Sequence, residues 1–152
     1  MKIENRLKEM GIKLPDAPAP AANYVPSVIV GDIVYVSGQV SSNTNGLIKG
    51  KLGSTMSTED GVNAAEACAI SLLAQVKNAC GGDLEKLVRV IKLTGFVNST
   101  DAFIDQPKVI NGASDLIASV FGEAGMHTRA AVSTNSLPLG VSVEVDAIFE
   151  LN

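Results

Sequence analysis

Two segments in the C-terminal third of the chain alternate apolar with polar residues, and this alternation constrains the fold more than any other feature. One segment contains Arg129, the other contains Glu144 and Asp146, and residues 137–140 between them include a proline and a glycine. Alternation with a period of two is typical of β-strands, and a short connection of this composition is typical of a hairpin. The sequence therefore predicts that the two segments pair as an antiparallel hairpin.

The predicted register of this hairpin sorts its side chains onto two faces, with Ser133 opposite Glu144 and Arg129 opposite Ile148. The polar face then consists of Arg129, Ala131, Ser133, Glu144, Asp146 and Ile148. The apolar face consists of Val132, Val141, Val143, Val145, Ala147 and Phe149. Because the apolar face suits a core, the face with the arginine and two carboxylates must meet either solvent or another subunit.

The size and charge of the chain favour one compact domain and narrow the range of partners. At 152 residues and 46% hydrophobic composition, the chain can bury a core without disulfides or metal. Its 12 basic and 16 acidic residues give a net charge of −4, which argues against nucleic acid as the main partner, although a local basic cleft in an oligomer stays open. With no run that could span a bilayer and no leader, we expect a soluble, cytoplasmic protein that does not bind membranes.

The two cysteines and the single histidine show no pattern of a disulfide or a metal site. If Cys68 and Cys80 lie on one helix, about 18 Å separates them, which is too far for a bridge. His127 stands alone among the possible nitrogen ligands, so no metal-ligand spacing exists. The alternation places His127 on the face of Arg129, where it could act as an acid or base, but a turn or surface role stays open.

The N-terminal part of the chain predicts an arm followed by a hairpin. Residues 1–13 could form a short helix that the proline-rich residues 15–20 end, so we expect residues 1–21 to form an arm and residues 22–152 a single domain. A Gly-Asp pair at residues 31–32 predicts a tight turn that pairs Val28 with Tyr35. Tyr24, Ser37 and Gln39 then share a face, and Gly38 beside them permits either a close ligand or a strand bulge.

Two amphipathic helices, separated by a strand at residues 84–98, are predicted between the hairpins. Ser57 followed by acidic residues suits the start of the first helix, and Pro107 suits the start of the second. Their apolar stripes are Val62, Ala65, Ala69, Leu72, Leu73 and Val76 in the first, and Val109, Ala113, Leu116, Ile117 and Val120 in the second. This order predicts an α+β fold in which two helices cover one face of a mixed sheet.

Across residues 22–151 the chain resembles the RidA/YjgF family of reactive-intermediate deaminases, also called the L-PSP endoribonuclease family. The resemblance rests on the order and spacing of short segments: residues 24–26, 36–40 and 96–97, Asn111, Arg129, residues 137–138 and 143–145. It implies a chorismate-mutase-like fold assembled as a homotrimer, with the sheets lining a central β-barrel and three ligand clefts between subunits.

The resemblance also implies an activity, the hydrolytic deamination of small enamine or imine intermediates, such as 2-aminoacrylate, to 2-keto acids and ammonia without a cofactor. It places the family's essential arginine on Arg129 and its other site residues on Tyr24, Ser37, Gly38, Asn111 and Glu144. A guanidinium can hold a substrate carboxylate through two parallel hydrogen bonds. A shielded carboxylate can take a proton from water, so Arg129 and Glu144 are the candidate catalytic residues.

The residues leave some alternatives open. The family's common Pro-x-Arg is here His127-Thr128-Arg129, and a trimer that binds small carboxylates without catalysis, or an endoribonuclease, stays possible as a function. Arg129 could instead form a salt bridge with Glu144 or Asp146 of another subunit. On a single hairpin the two charged groups would be about 13 Å apart along the strand, and Asn111 would point away from the core, so a cleft between two chains suits them better.

Overall fold

The computed structural model describes residues 2–152, which form three α-helices and seven β-strands with short helical turns between them. In chain order these elements are α1 (Lys2–Glu9), β1 (Ser27–Val30), β2 (Ile33–Val40), β3 (Ser42–Asn43), β4 (Gly46–Leu47), α2 (Thr58–Ala79), β5 (Leu87–Asn98), α3 (Gln106–Phe121), β6 (Thr128–Thr134) and β7 (Val143–Leu151). Single turns of 3₁₀ helix lie at Leu84–Lys86, Gly122–Gly125 and Pro138–Gly140. The predicted order of strands and two principal helices is confirmed.

A five-stranded sheet with the strand order β1-β2-β7-β5-β6 forms the centre of the fold. The strands β5 and β6 run parallel and every other pair is antiparallel, so the prediction of a mixed sheet is confirmed. Helices α2 and α3 pack against each other and bury their apolar sides on one face of this sheet. We call the opposite face, which contains Tyr35, Val132, Glu144 and Asp146, the open face.

The predicted C-terminal hairpin is wrong, because β5 lies between β6 and β7. Leu93 of β5 pairs with Arg129 on one side and with Ala147 on the other. Helix α3 returns the chain to the end of the sheet where β5 began, so β6 enters parallel to β5, and β7 then passes to the far side of β5. The predicted cross-strand pairs Ser133 with Glu144 and Arg129 with Ile148 therefore do not form.

This arrangement places Arg129 and Glu144 on opposite faces of the sheet, whereas the sequence predicted that they share one. Residues aligned across neighbouring strands point to the same side, so Arg129 follows its partner Leu93, which is buried beneath the helices. Glu144 alternates with the buried Val143 and Val145 and therefore points to the open face. Val132, which was predicted to lie in the core, is also on the open face and is 46% exposed.

The predicted apolar sides of the other elements are largely confirmed. Val143, Val145, Ala147 and Phe149 of β7 are buried, as are all stripe residues of the two helices except Val62 and Leu116, which are partly buried. Ser57 caps α2 by accepting from the Asp60 amide at 3.1 Å, and the Asp60 carboxylate accepts in return from the Ser57 amide at 3.2 Å. Among residues 2–152, none of the helices is both apolar and long enough to cross a bilayer.

The N-terminal hairpin has the predicted register, with Val28 paired to Tyr35 and Gly31 at a φ of +60° in the turn. Before it, α1 packs on the domain through Leu7, which is 3% exposed, and through a 2.7 Å ion pair between Glu4 and Lys77. The division of the chain at residues 21 and 22 into an arm and a domain stays a prediction.

Candidate functional site

The residues predicted to form the site lie in two separate groups. The first group, which we call the carboxylate group, consists of Tyr24, Gly38 and Glu144, which line a cavity of about 490 Å³, and of Ser37, which precedes Gly38 in β2. The second, which we call the guanidinium group, is formed by Asn111 and Arg129 where α3 meets β6. Because Glu144 and Arg129 point to opposite faces, one chain does not unite the two groups in a single cleft.

Most of the cavity wall beside Glu144 is apolar. The segment before β1 contributes Pro18, Ala19, Pro20, Ala21 and Ala22, together with Tyr24 and Pro26, and the turn before β7 contributes Pro138 and Leu139. The polar lining consists of Gln39, Ser42, Ser71, Gln75 and Glu144. A cavity of this kind, largely apolar with a few polar groups, is typical of a site for a small molecule.

A bulge in β2 brings the backbone of Gly38 against the Glu144 carboxylate. The register between β2 and β7 shifts between Val36 and Gln39. A Cβ at position 38 would overlap Oε1 of Glu144 and would lie 3.1 Å from its Cδ. The predicted bulge is therefore confirmed, and the close approach at Gly38 is that of the Glu144 side chain, while approach of a ligand stays a prediction.

The Glu144 carboxylate is half-buried and forms no ion pair within residues 2–152. Burial, and secondarily the charge of Asp146, raises the pKa of Glu144 above its ordinary value. Burial also raises the pKa of Asp146, although a hydrogen bond from Thr94 and the charge of Lys92 oppose that effect. A carboxylate with a raised pKa is suited to taking up a proton during a reaction.

Ser37, which precedes Gly38 in β2, forms two hydrogen bonds to the segment before β1. Its Oγ donates to the carbonyl of Val25 at 2.8 Å, and its amide donates to the carbonyl of Pro26 at 2.9 Å. These bonds attach the segment that contains Tyr24 to β2. Tyr24 is 47% exposed at the cavity wall.

Two buried glutamines hold the N-terminal segment over the cavity. Gln75 of α2 is 2% exposed and donates from Nε2 to the Pro18 carbonyl at 2.6 Å. It also lies 3.4 Å from Oε1 of Gln39, whose Nε2 donates to the Ser37 carbonyl at 2.9 Å. The β2 bulge turns Gln39 toward α2, so the prediction that it shares a face with Ser37 is wrong. Gln75 was not predicted from the sequence, although its position between Leu72 and Val76 in an apolar stripe was an available signal.

Leu139 at the cavity wall has a left-handed backbone, with φ of 61° and ψ of 12°. It is the sole non-glycine residue of 2–152 with a positive φ, and this conformation costs a residue with a Cβ about 1 kcal/mol. Hydrogen bonds from the Gly140 amide to the Leu137 carbonyl and from the Val141 amide to the Pro138 carbonyl hold the turn. The strain is therefore located where the turn borders the cavity.

In the guanidinium group, α3 provides all the side-chain partners of Arg129. Nη1 donates to Oδ1 of Asn111 at 2.8 Å and to Oγ of Ser114 at 3.2 Å, and Nη2 lies 3.4 Å from the Pro107 carbonyl. Asn111 is exposed, as expected. It contacts the arginine of its own chain, so this contact does not need a second subunit. The Nε–H and one Nη2–H have no acceptor among residues 2–152, so they can receive a carboxylate.

His127 lies directly before β6, with both ring nitrogens in hydrogen bonds. Nε2 is 2.9 Å from Oγ of Ser114, and Nδ1 is 2.6 Å from the carbonyl of Gly125. The sequence predicted that His127 lies on the face of Arg129, but Ser114, which links the two, was not predicted. The spacing of Ser114 three residues after Asn111, on the same side of α3, was the available signal.

The cysteines lie outside both groups. Cys68 and Cys80 are buried and free, and burial raises the pKa of each thiol, so neither is activated as a nucleophile. Within residues 2–152, no three or more histidine, cysteine, aspartate or glutamate side chains are grouped so that they could hold a metal ion.

The fold defines the class: this is an α+β protein in which two helices cover one face of a mixed sheet. Comparison with known families identifies the family within this class. The family described as "YjgF/chorismate_mutase-like, putative endoribonuclease" matches residues 4–151. The chain therefore belongs to the RidA/YjgF family, as its sequence predicted.

Two relatives and one solved structure show how this chain compares with known proteins. It is 48% identical to Protein TCP17 of Trypanosoma cruzi over 99% of this chain and 95% of the relative. The crystal structure of Atu1372 from Agrobacterium tumefaciens, a protein of unknown function, is 52% identical, with a TM-score of 0.92 over 99% of this chain and 92% of that one. A rat 2-iminobutanoate/2-iminopropanoate deaminase is 26% identical over 87% of this chain and 82% of the relative.

Proposed function

We propose that this protein hydrolyses small imine or enamine intermediates of 2-amino acids to 2-keto acids and ammonia. The observation that carries the proposal is the Arg129 guanidinium, which α3 holds through Nη1 while its Nε–H and one Nη2–H stay free. A planar fork with two free donors matches a substrate carboxylate. The relationship to a rat deaminase of this specificity gives further support.

In the proposed reaction, Arg129 binds the carboxylate and Glu144 activates water. Starting from the protonated imine, the water oxygen forms a bond to C2 while Glu144 takes one of its protons, and the electrons of the C=N double bond move to the nitrogen, which becomes an amine. Glu144 then returns its proton to the amine nitrogen, the C–N bond breaks and ammonia leaves. The hydroxyl becomes the keto oxygen as its proton passes to Glu144 and then to solvent. The raised pKa of Glu144 suits a group that holds this proton between the two steps.

The two groups would meet across a subunit boundary. The open face exposes Val28, Tyr35 and Val132 by between 46% and 50%, and an apolar sheet face of this kind favours self-association. We propose a homotrimer in which the open faces line a central β-barrel. Each cleft would then combine the carboxylate group of one chain with the guanidinium group of its neighbour, including Tyr24, Ser37 and Gly38 from the first and Asn111 from the second.

Subunit mixing tests both parts of the proposal. Arg129→Ala and Glu144→Ala proteins should each be inactive in an assay that couples a 2-amino acid dehydratase to keto acid detection. If equal amounts of the variants are mixed so that subunits assort randomly, roughly a quarter of the clefts should receive both wild-type residues. The activity of the mixture should then be roughly a quarter of the wild-type activity. A site within one chain would give no recovery.

Binding and cleavage assays on the same proteins separate the competing functions. Binding of a keto acid by the wild-type protein without turnover would favour a carboxylate-binding trimer. RNA cleavage that survives stringent purification and disappears with Arg129→Ala would favour an endoribonuclease, which the net charge of −4 argues against.

A further inference from the structure

We infer that Ser114 and His127 position Arg129 for carboxylate binding, an inference that rests on the proposed function. They belong to neither predicted group, and neither needs to touch the substrate. Both act through the guanidinium nitrogen Nη1, which faces away from the donors that stay free.

The hydrogen bonds around His127 determine where its proton lies. The Gly125 carbonyl can only accept a hydrogen bond, so Nδ1, at 2.6 Å, carries the ring proton. In the neutral ring Nε2 is then an acceptor, and the hydroxyl of Ser114 at 2.9 Å donates to it. The Ser114 oxygen consequently turns its lone pairs toward Nη1 of Arg129.

The result is a chain of three bonds that run in one direction. Arg129 donates to Ser114, Ser114 donates to His127, and His127 donates to Gly125. Each bond in such a chain polarises the next, so the hydroxyl that faces the guanidinium is a better acceptor than an isolated serine. Without an acceptor on His127, the Ser114 hydroxyl could rotate and lose its orientation toward Nη1.

The far end of this chain is attached to a rigid part of the fold. Gly125 is buried, and a Cβ at this position would lie 2.7 Å from the Ile117 carbonyl and 3.0 Å from Cα of Ala118 on α3. The turn that carries Gly125 therefore packs directly on the α3 backbone. Ser114 and Asn111 extend from the same helix, so α3 holds the guanidinium through two side chains.

The two supports of Nη1 differ in their exposure to water. Asn111 is exposed, whereas Ser114 and His127 are half-buried. Water competes less well for the sheltered contact, so Ser114 adds a second, better shielded support for Nη1 beside the shorter 2.8 Å bond to the exposed Asn111. This orientation leaves the Nε–H and one Nη2–H available before substrate arrives, and such pre-organisation lowers the entropic cost of binding.

A matched pair of substitutions at His127 tests the inference. His127→Gln can place an amide oxygen near the position of Nε2 and keep an acceptor for Ser114, whereas His127→Asn reaches only the position of Nδ1. We expect His127→Asn and Ser114→Ala to weaken binding of 2-oxobutanoate in calorimetry by about 5- to 10-fold, and to raise KM with little change in kcat. His127→Gln should stay within about twofold of wild type.

Controls distinguish positioning from a general loss of structure. Ser119→Ala removes an exposed hydroxyl from the same helix and should change nothing. The double variant Ser114→Ala/His127→Asn should be no weaker than either single variant, because both changes remove one chain of bonds. Nitrogen NMR of the wild-type ring should show the proton on Nδ1.

The outcomes separate this inference from the function on which it rests. If wild type binds the keto acid and folded His127→Asn and Ser114→Ala proteins bind it equally well, the positioning role is overturned while the proposed function stands. If wild type binds but does not turn over substrate, catalysis is overturned and the affinities still decide the positioning role. If wild type binds no keto acid, both fall.

Discussion

The backbone of Gly38 packs so closely against the carboxylate of Glu144 that a methyl group at position 38 would overlap its Oε1. Because position 38 has no side chain, the space beside the β2 bulge is free for this carboxylate at the cavity wall. The position of the proposed base therefore depends on the glycine.

We predict that Gly38→Ala lowers kcat by at least about tenfold, because a displaced base acts inefficiently on the bound water. Steady-state kinetics on folded protein would measure the loss. In a Glu144→Ala background, where the overlapped atoms are absent, the same substitution should cause no further decrease. A further decrease there would show that Gly38 acts in another way.

The raised pKa of Glu144 predicts an acid limb in the pH dependence of kcat/KM. The base must be ionised, so activity should fall as the pH drops through the raised pKa, above the ordinary glutamate range. Glu144→Gln should abolish this limb together with most of the activity. A limb that stays in Glu144→Gln would have to arise from another group.

The same raised pKa has a consequence for stability. A carboxyl group with a higher pKa in the folded state favours folding below its unfolded pKa, and this contribution is lost as the pH rises through the folded value. We therefore expect Glu144→Gln to be more stable than wild type at neutral pH and to lose this advantage in acid. Chemical unfolding at the two pH values would measure the free energy of each.

Replacement of Arg129 by lysine tests whether charge alone is sufficient. Lysine keeps the charge but has no planar fork, so we expect affinity for a keto acid to fall by about 10- to 100-fold in Arg129→Lys. Lys108→Ala, which removes an exposed cation from α3, is the matched control and should bind normally. Equal affinity of Arg129→Lys and wild type would contradict the proposed role.

The strained turn at Leu139 predicts different effects of two small substitutions. Leu139→Gly should be about 1 kcal/mol more stable than Leu139→Ala, since glycine accepts the left-handed backbone and alanine does not. Both variants lose the apolar side chain at the cavity and should show similar increases in KM. Thermal unfolding and kinetics would together separate backbone strain from lost substrate contact.

The exposed Val132 on the open face tests the proposed assembly. Val132→Glu introduces a charge where the sheets would meet. We expect this variant to sediment as a monomer and to be inactive in the coupled assay. Val132→Thr keeps the shape of the side chain and should stay trimeric. A wild-type protein that sediments as a monomer would exclude the two-chain cleft.

Helices, their caps and most strand positions could be predicted, because they depend on patterns within short stretches of chain. The capping residues Ser57 and Asp60 and the stripe that includes Leu72 are local features, and each has the predicted role. The turn at Gly31 is equally local, because its backbone geometry depends on the glycine itself.

The C-terminal strands show where local patterns were insufficient. Alternation showed that Arg129 and Glu144 each lie on one side of a strand, but it could not show that β5 separates those strands. The connection through residues 137–140 looked like a hairpin turn because its composition suits one, although here it carries the chain around the end of β5.

The sequence by itself determined the family and the order of the elements, and it supplied the residues of the proposed site: a guanidinium, a carboxylate and a glycine next to the carboxylate. Tertiary structure alone decided that these groups lie on opposite faces, that Ser114 and His127 support the arginine, and that Gln75 holds the N-terminal segment over the cavity. The physical reason is that strand pairing and side-chain contacts join residues far apart in the chain, whereas periodicity and turn chemistry report only on neighbours.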